Sequence, residues 1–567
     1  MRTSPSFAAA ALVTRALGCH ALHSPLDEGS SAASISLSQT LSPSPLKEGS
    51  DHDGRGAAVV TSQRPNVLLV LLDDAGAADV AGLGHPLLHT PQIDGFLRGA
   101  LRFSQAYAGA PNCSPSRAAL LTGRAPYRTG VYDFLSKKTG DMHLSLKEVT
   151  VAALLQAVGY ATVHVGKWHL SRGRHGAPPV AFGFEHSNST YAPASVLVPA
   201  LLSWIHVHRR GRPFFAYLAL WEPHEPVELW SPAQYRQRYG GAILPEASEP
   251  TDPVDGLELH AATQGSRAGS SVQVAGLDGA LGSSKLTIDS LAPLVPGSGG
   301  GGLCAWHLPA GKRGPARVYY GCMSQVDDSF GRLLLGLEAS GLRHNTLLVL
   351  TSDNGPEHRT RFAWGSTGGL RGAKGFVYEG GIRVPFIVQW PARAQPPQDL
   401  PTPIHFWDVL PTFLEAAGAP LPQHTLDGVS LLQLIDGTAG ALGRGESQVQ
   451  RQAAPPHVDG HMDSDALDRR VPLWWAMHRG RGGMQYALRD GAWKLVAGYG
   501  DTSMRPHGPP QGGEVSQWLR SARLGRAELY RVSHDPTERL NLARFEKERA
   551  THCLLYTSPS PRDGLLS

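Results

Sequence analysis

The sequence predicts an α/β fold: a large, mostly parallel or mixed sheet sandwiched by helices, with a small C-terminal antiparallel sheet plus helix. Three observations carry that expectation. Nearly continuous apolar runs recur at Asn66–Leu72, Phe214–Leu220 and Thr346–Leu350, as in strands buried on both faces. Helical patterns separate them, at Ile93 to Gly99, Leu146 to Val158 and Tyr319 to Ser340. Near the C-terminus, Asp490-Gly491 lies between two β-prone runs, the composition of a hairpin turn.

Other segments fit around these. Val384–Trp390 is a fourth strand candidate, and Pro385 places its start at a sheet end or edge. Glu528–Val532 continues the C-terminal sheet. Residues 1–64 read as a targeting segment and disordered linker, and 65–440 as the large α/β domain. Within that domain, 242–314 is a flexible Gly/Ser-rich insertion. Residues 441–553 form the α+β subdomain, and 554–567 read as neither core nor helix.

Composition narrows the function classes. The chain has 567 residues, 41% of them hydrophobic, and a net charge of +4. That mild excess is not the basic block of a nucleic-acid binder. No run is long and apolar enough to span a bilayer, so no transmembrane anchor is expected. Phe7–Val13 resembles a short signal peptide with Arg15 intruding, although the lack of acidic residues before Asp27 also suits an organellar transit peptide. The five cysteines, Cys19, Cys113, Cys304, Cys322 and Cys553, show no metal-type pair spacing. Cys304 and Cys322 are either one loop disulfide or two unlinked thiols.

Chemistry gathers where the strands end, as expected for such sheets. The first run ends in Asp73-Asp74 and the third in Ser352-Asp353-Asn354-Gly355. Adjacent carboxylates repel each other, and four hard oxygen donors suit Ca²⁺ or Mg²⁺ rather than a soft metal. Cys113-Ser114-Pro115-Ser116-Arg117 opens an apolar helical run. Proline fits the first helical turn, and the free N–H groups there form an anion seat beside Arg117. A thiol at such a helix start is expected to have a depressed pKa.

These residues resemble the sulfatase signature C-x-P-S-R followed by T-G-R, here Thr122-Gly123-Arg124. Five further sulfatase motifs follow the same chain order: Asp73-Asp74, Gly166-Lys167-Trp168-His169, Pro223-His224, Asp353-Asn354-Gly355, and Gly372-Ala373-Lys374 before Glu379-Gly380-Gly381. The likeness runs from Pro65 to about Ala416, lapses across the insertion, and resumes near Tyr486 to Leu542. Asp73-Asp74 is followed by Ala75-Gly76-Ala77-Ala78, where the family often has a larger residue and an aromatic.

The resemblance implies a sulfuric ester hydrolase of alkaline-phosphatase-like fold whose Cys113 is oxidised to formylglycine by a formylglycine-generating enzyme. Asp73, Asp74, Asp353 and Asn354, with the modified Cys113, would bind one Ca²⁺. Arg117 and Lys167 would hold the formylglycine hydroxyls, and Lys167 and Lys374 would bracket the sulfate. His224 would protonate the departing alcohol, and His169 would help the release of sulfate. The substrate would be a sulfated small molecule or polysaccharide. The location would be the secretory pathway, either secreted or in a lysosome-like compartment, and Asn188-Ser189-Thr190 would suit a secreted glycoprotein. Two alternatives share the fold: a formylglycine-dependent phosphodiesterase or phosphonate monoester hydrolase, and an inactive glycan-binding relative. Specificity is expected in the loops Arg172 to Ala194 and Val227 to Gly241 and in the insertion.

Overall fold

A computed structural model describes residues 64–136, 142–171, 176–240, 310–358, 364–393, 396–437, 467, 472–480, 483–499 and 524–557. The targeting segment with Cys19, the insertion up to residue 309 with Cys304, and residues 558–567 lie outside the described residues.

Fourteen strands build the described chain. They are β1 (Asn66–Leu72), β2 (Leu101–Phe103), β3 (Ala106–Tyr107), β4 (Ala161–Gly166), β5 (His186–Asn188), β6 (Phe214–Ala219), β7 (Thr346–Ser352), β8 (Phe386–Gln389), β9 (Gln398–Leu400), β10 (Ile404–His405), β11 (Leu473–Gly480), β12 (Gly483–Asp490), β13 (Trp493–Tyr499) and β14 (Leu524–Tyr530). Eight of them form one sheet in the order β5-β4-β6-β1-β7-β8-β2-β9. The stretch from β5 to β7 is parallel throughout, while β8 runs antiparallel to both its neighbours. The predicted large mixed sheet is therefore present. Pro385 lies just before β8, at the strand end where a missing N–H does no harm.

The apolar runs become central strands because both sheet faces are covered. In β1, Val67, Leu69 and Leu71 enter one core and Leu68, Val70 and Leu72 the other. The long helix Ala310–Ala339 packs on the second face through Met323, Val326, Phe330 and Leu333. The C-terminal sheet β11-β12-β13-β14 is antiparallel as predicted, and Gly491, at φ 51°, makes the β12–β13 turn.

Several boundaries differ from the sequence reading. The helix expected from Leu146 starts at Val151, because Thr150 caps it by accepting the N–H of Ala153 at 3.2 Å. The Tyr319 helix begins earlier, at Ala310, so residues 310–314 belong to it rather than to the insertion. The final helix, Lys547–Thr557, includes 554–557, a stretch whose composition predicts neither core nor helix. Cys322 is fully buried on the long helix and forms no disulfide among the described residues.

Candidate active site

Four neighbouring strands, β4, β6, β1 and β7, deliver their carboxyl ends to one edge. Leu72 on β1 pairs with Ser352 on β7, so Asp73 and Asp353 leave the sheet side by side. The N–H of Asp353 donates to the Leu72 carbonyl at 3.1 Å, and that of Asp73 to Glu222 O at 2.9 Å. Lys167 follows β4 and donates its N–H to Ala219 O at 2.7 Å. Register thus places residues far apart in sequence at one spot.

Cys113 starts the helix Cys113–Thr122, all ten residues of which are buried. Asn112 precedes it in extended conformation, and Gly123, at φ 68°, ends it in the left-handed region. The Gly372–Gly381 turn that carries Lys374 packs backbone to backbone against the end of β7. A Cβ at Gly355 would lie 1.9 Å from Gly380 O, and one at Gly380 2.3 Å from Gly372 O. Only glycine permits that approach, which brings Lys374 to the strand ends.

Asp73, Asp74 and Asp353 have carboxylate oxygens within 4.8 Å of one another, and Cys113 Sγ, an Asp73 oxygen and a His224 ring nitrogen form a second such group. Arg117, fully buried, donates through Nε to Asp353 Oδ2 at 2.9 Å and through Nη1 to Lys167 O at 2.9 Å. Lys167 Nζ pairs with Asp73 Oδ2, and Lys374 Nζ with Asp74 Oδ2 at 2.6 Å. Asn354 Nδ2 donates to Asp74 Oδ1 at 2.8 Å. Three carboxylates therefore face three cations, but two acceptors stay unspent: Asp73 Oδ1 and Asn354 Oδ1 are buried without a hydrogen bond.

The electrostatics follow from this crowding. Burial pushes Asp73 up, but Lys167, His224, Arg117 and Lys374 reverse it and hold the carboxyl well below its usual range. Asp353 is pushed up to about 7 by burial and by Asp73, against the pull of Arg117. Lys374 is held protonated by Asp74, which outweighs its burial. Buried hard-oxygen donors with unspent lone pairs and a reluctant third charge fit a hard divalent cation.

Cys113 departs from the sequence expectation. Burial pushes its thiol up to about 12, with Asp353 and Asp73 adding to the rise and Lys167 and Lys374 only partly opposing it. The helix start does not favour a thiolate, because the thiol is buried and carboxylates lie beside it.

The two histidines are held in different ways. His224 Nδ1–H donates to Glu225 O at 2.6 Å, leaving Nε2 to face Asp74 Oδ2 at 3.8 Å; a third of the side chain is exposed. Burial lowers its pKa, Lys167 and Lys374 add to that, and Asp73 and Asp74 oppose it. His169 sits at φ 54° and donates Nε2–H to Leu135 O at 3.1 Å. That bond fixes the tautomer, so Nδ1 is a buried acceptor without a partner. Burial, then Lys167, pushes this ring down to about 3, so it stays neutral.

Every site residue expected from sequence thus lies at this edge. The sequence reading missed Glu222, which is buried and anchors the helix Ala194–His208 by accepting the Ala194 N–H at 2.6 Å. It also missed a second buried charge cluster. There Lys494 on β13 pairs at 2.9 Å with both Glu379 and Glu538, and Tyr107 donates to Glu379 at 2.7 Å. A lysine inside the apolar run Trp493–Val496 was the available signal for that cluster.

Comparison with known proteins identifies the family. The family model Sulfatase matches residues 65–419. Human (Homo sapiens) arylsulfatase A is 30% identical over 433 residues, covering 67% of this chain and 70% of that protein. Mouse (Mus musculus) steryl-sulfatase is 31% identical over 435 residues, covering 66% and 65%. Among solved structures, Ps i-CgsB in complex with k-i-k-neocarrahexaose superposes with a TM-score of 0.59 at 20% identity, over 87% of this chain and 92% of that one. The chain belongs to the sulfatase family, and it is a sulfuric ester hydrolase.

Proposed function

We propose that the chain cleaves a sulfate ester of a carbohydrate, with Cys113 matured to formylglycine and one Ca²⁺ held by Asp73, Asp74, Asp353, Asn354 and the matured side chain. The observation that carries this reading is the convergence of Cys113, three carboxylates, two lysines and His224 at one strand-end edge. Bound there, Ca²⁺ would polarise the sulfate oxygens and help ionise a nearby hydroxyl. The hydrated aldehyde would supply one hydroxyl to attack sulfur and a second to release sulfate without a further attack by water.

This chain's own residues do the rest. Lys167 and Lys374 flank the carboxylates and offer their charges to the sulfate oxygens, where negative charge builds. Arg117 offsets the Asp353 charge from inside through a buried ion pair, which lets the carboxylates lie together. His224, part-exposed and with Nε2 facing inward, delivers a proton to the leaving alcohol. His169 Nδ1, neutral and unpartnered, offers a hydrogen-bond acceptor inside the site and so helps the release of sulfate.

Maturation belongs to an earlier stage. Cys113 is 2% exposed, so a formylglycine-generating enzyme must reach it before the helix Cys113–Thr122 is covered. That order suits export through the secretory pathway to the outside or to a lysosome-like compartment. Among the described residues, no helix is long and apolar enough to cross a membrane. We assign catalysis to 65–440 and a supporting role to 441–553.

Cys113→Ser tests the reading. Serine has one hydroxyl, so the variant should release about one equivalent of alcohol and stop, with sulfate retained on the protein. Sustained turnover would exclude the two-hydroxyl mechanism. Rates on an aryl sulfate and an aryl phosphate diester, measured side by side, should favour the sulfate.

A further inference from the structure

Tyr191 is a large ring, 49% exposed, beside the candidate site. It is held firmly for so exposed a side chain. Its ring meets Trp221 at 4.6 Å and Trp230 at 4.7 Å, both edge to face. The two indoles are themselves tethered: Trp221 donates to Thr190 O at 3.1 Å, and Trp230 to His224 O at 3.0 Å. The Glu222–Ala194 bond further ties the Tyr191 loop to the turn that carries His224.

This aromatic group borders the reacting edge on two sides. Trp221 O accepts the N–H of His224 at 2.9 Å, so the two residues share one turn. The Lys167 ammonium lies 5.7 Å from the Trp221 ring centroid. An ester whose sulfate lies against Lys167, and whose leaving oxygen faces His224, must carry its organic part past this turn. Tyr191 is the ring exposed there.

We propose that Tyr191, backed by Trp221 and Trp230, is the subsite that seats the flat face of the six-membered ring whose sulfate ester is cleaved. The proposal rests on the hydrolase reading above and adds the class of the leaving group. A rigid aromatic surface gains contact area at little entropic cost. It also tolerates hydroxyls that point into water, as on a pyranose.

The test compares wild type, Tyr191→Ala and Tyr191→Phe. The probes are 4-nitrophenyl sulfate as substrate, hexopyranose monosulfates as substrates or competitive inhibitors, and inorganic sulfate as an inhibitor without a ring. Tyr191→Ala should raise KM or Ki for the ring esters roughly tenfold, the loss of one good contact. Its Ki for inorganic sulfate should stay within twofold, and Tyr191→Phe should behave like wild type. A larger effect on the pyranose than on the aryl ester would identify the ring as a sugar; the reverse would identify it as an arene. Unchanged ring affinities in Tyr191→Ala would overturn the subsite, as would an equal loss for inorganic sulfate. If wild type cleaves no sulfate ester, the hydrolase reading fails and the subsite falls with it; an active wild type with an indifferent Tyr191→Ala sinks the subsite alone.

Discussion

Two buried clusters of charge sit in this molecule, and they are built differently. At the strand ends, Asp73, Asp74 and Asp353 face Arg117, Lys167 and Lys374, and Asp73 Oδ1 and Asn354 Oδ1 remain without hydrogen bonds. Between the two sheets, Glu379 and Glu538 close on Lys494, with Tyr107 and Arg383 completing the shell around Glu379. Glu379 and Lys494 have no exposure at all, whereas the Lys374 side chain is 12% exposed and that of His224 33%. The first cluster keeps donors in reserve and a way in. The second also leaves one acceptor, Glu538 Oε1, without a hydrogen bond, but it is closed to solvent and its ion pairs hold β13 against the Glu379 turn. Buried charge therefore reads as chemistry in one place and as architecture in the other.

Paired substitutions can break that contrast. Asp353→Ala should lower kcat/KM by roughly two to four orders of magnitude, as when an electrostatic stabiliser is removed. Full activity after exhaustive chelation would contradict the metal assignment. Lys494→Met should instead act on stability, by about 3–5 kcal/mol, because it leaves Glu379 and Glu538 buried without their cation. Denaturant titration would measure that loss, and the folded fraction should keep its turnover. Reversed phenotypes would mean that the clusters had been assigned the wrong way round.

His224 sharpens the comparison, since it lies on the open side of the first cluster. His224→Ala should cost roughly a hundredfold on an alkyl sulfate and less on an activated aryl sulfate, whose phenolate leaves unaided. Equal losses would assign His224 to binding alone. The pH profile carries a smaller, signed effect. Burial lowers the His224 pKa, so the protonated form needed for donation persists only on the acid side of the usual histidine value. The alkyl-sulfate rate of wild type should therefore fall as pH rises from 5 toward 8, across the ordinary histidine range, and His224→Ala should lose that limb. A wild-type rate flat across this range would argue against the acid role.

Much of the fold was legible because burial on both faces leaves a continuous apolar run. β1, β6 and β7 follow directly from such runs, and the strand-end rule then points to Asp73, Asp353 and His224. Strands of two or three residues, such as β2, β3 and β5, are too short to show a period. The helix Ala194–His208 was hidden by Pro193 before it and Pro199 inside it. The thiol of Cys113 went the wrong way because the helix start is a local feature. Its burial, and the Asp353 and Asp73 carboxylates beside it, come from strands far off in sequence. Lys494 reads in sequence as a lone charge in a strand until its two glutamates arrive from distant turns.

The proposed conversion of Cys113 explains how so buried a group can act, since burial pushes the unmodified thiol up to about 12. Mass spectrometry of the Cys113-bearing peptide from an active preparation tests it most directly. The peptide should be lighter than the thiol form and carry an aldehyde reactive toward carbonyl reagents, in proportion to specific activity. A fully active preparation whose peptide retains the unmodified cysteine would contradict it.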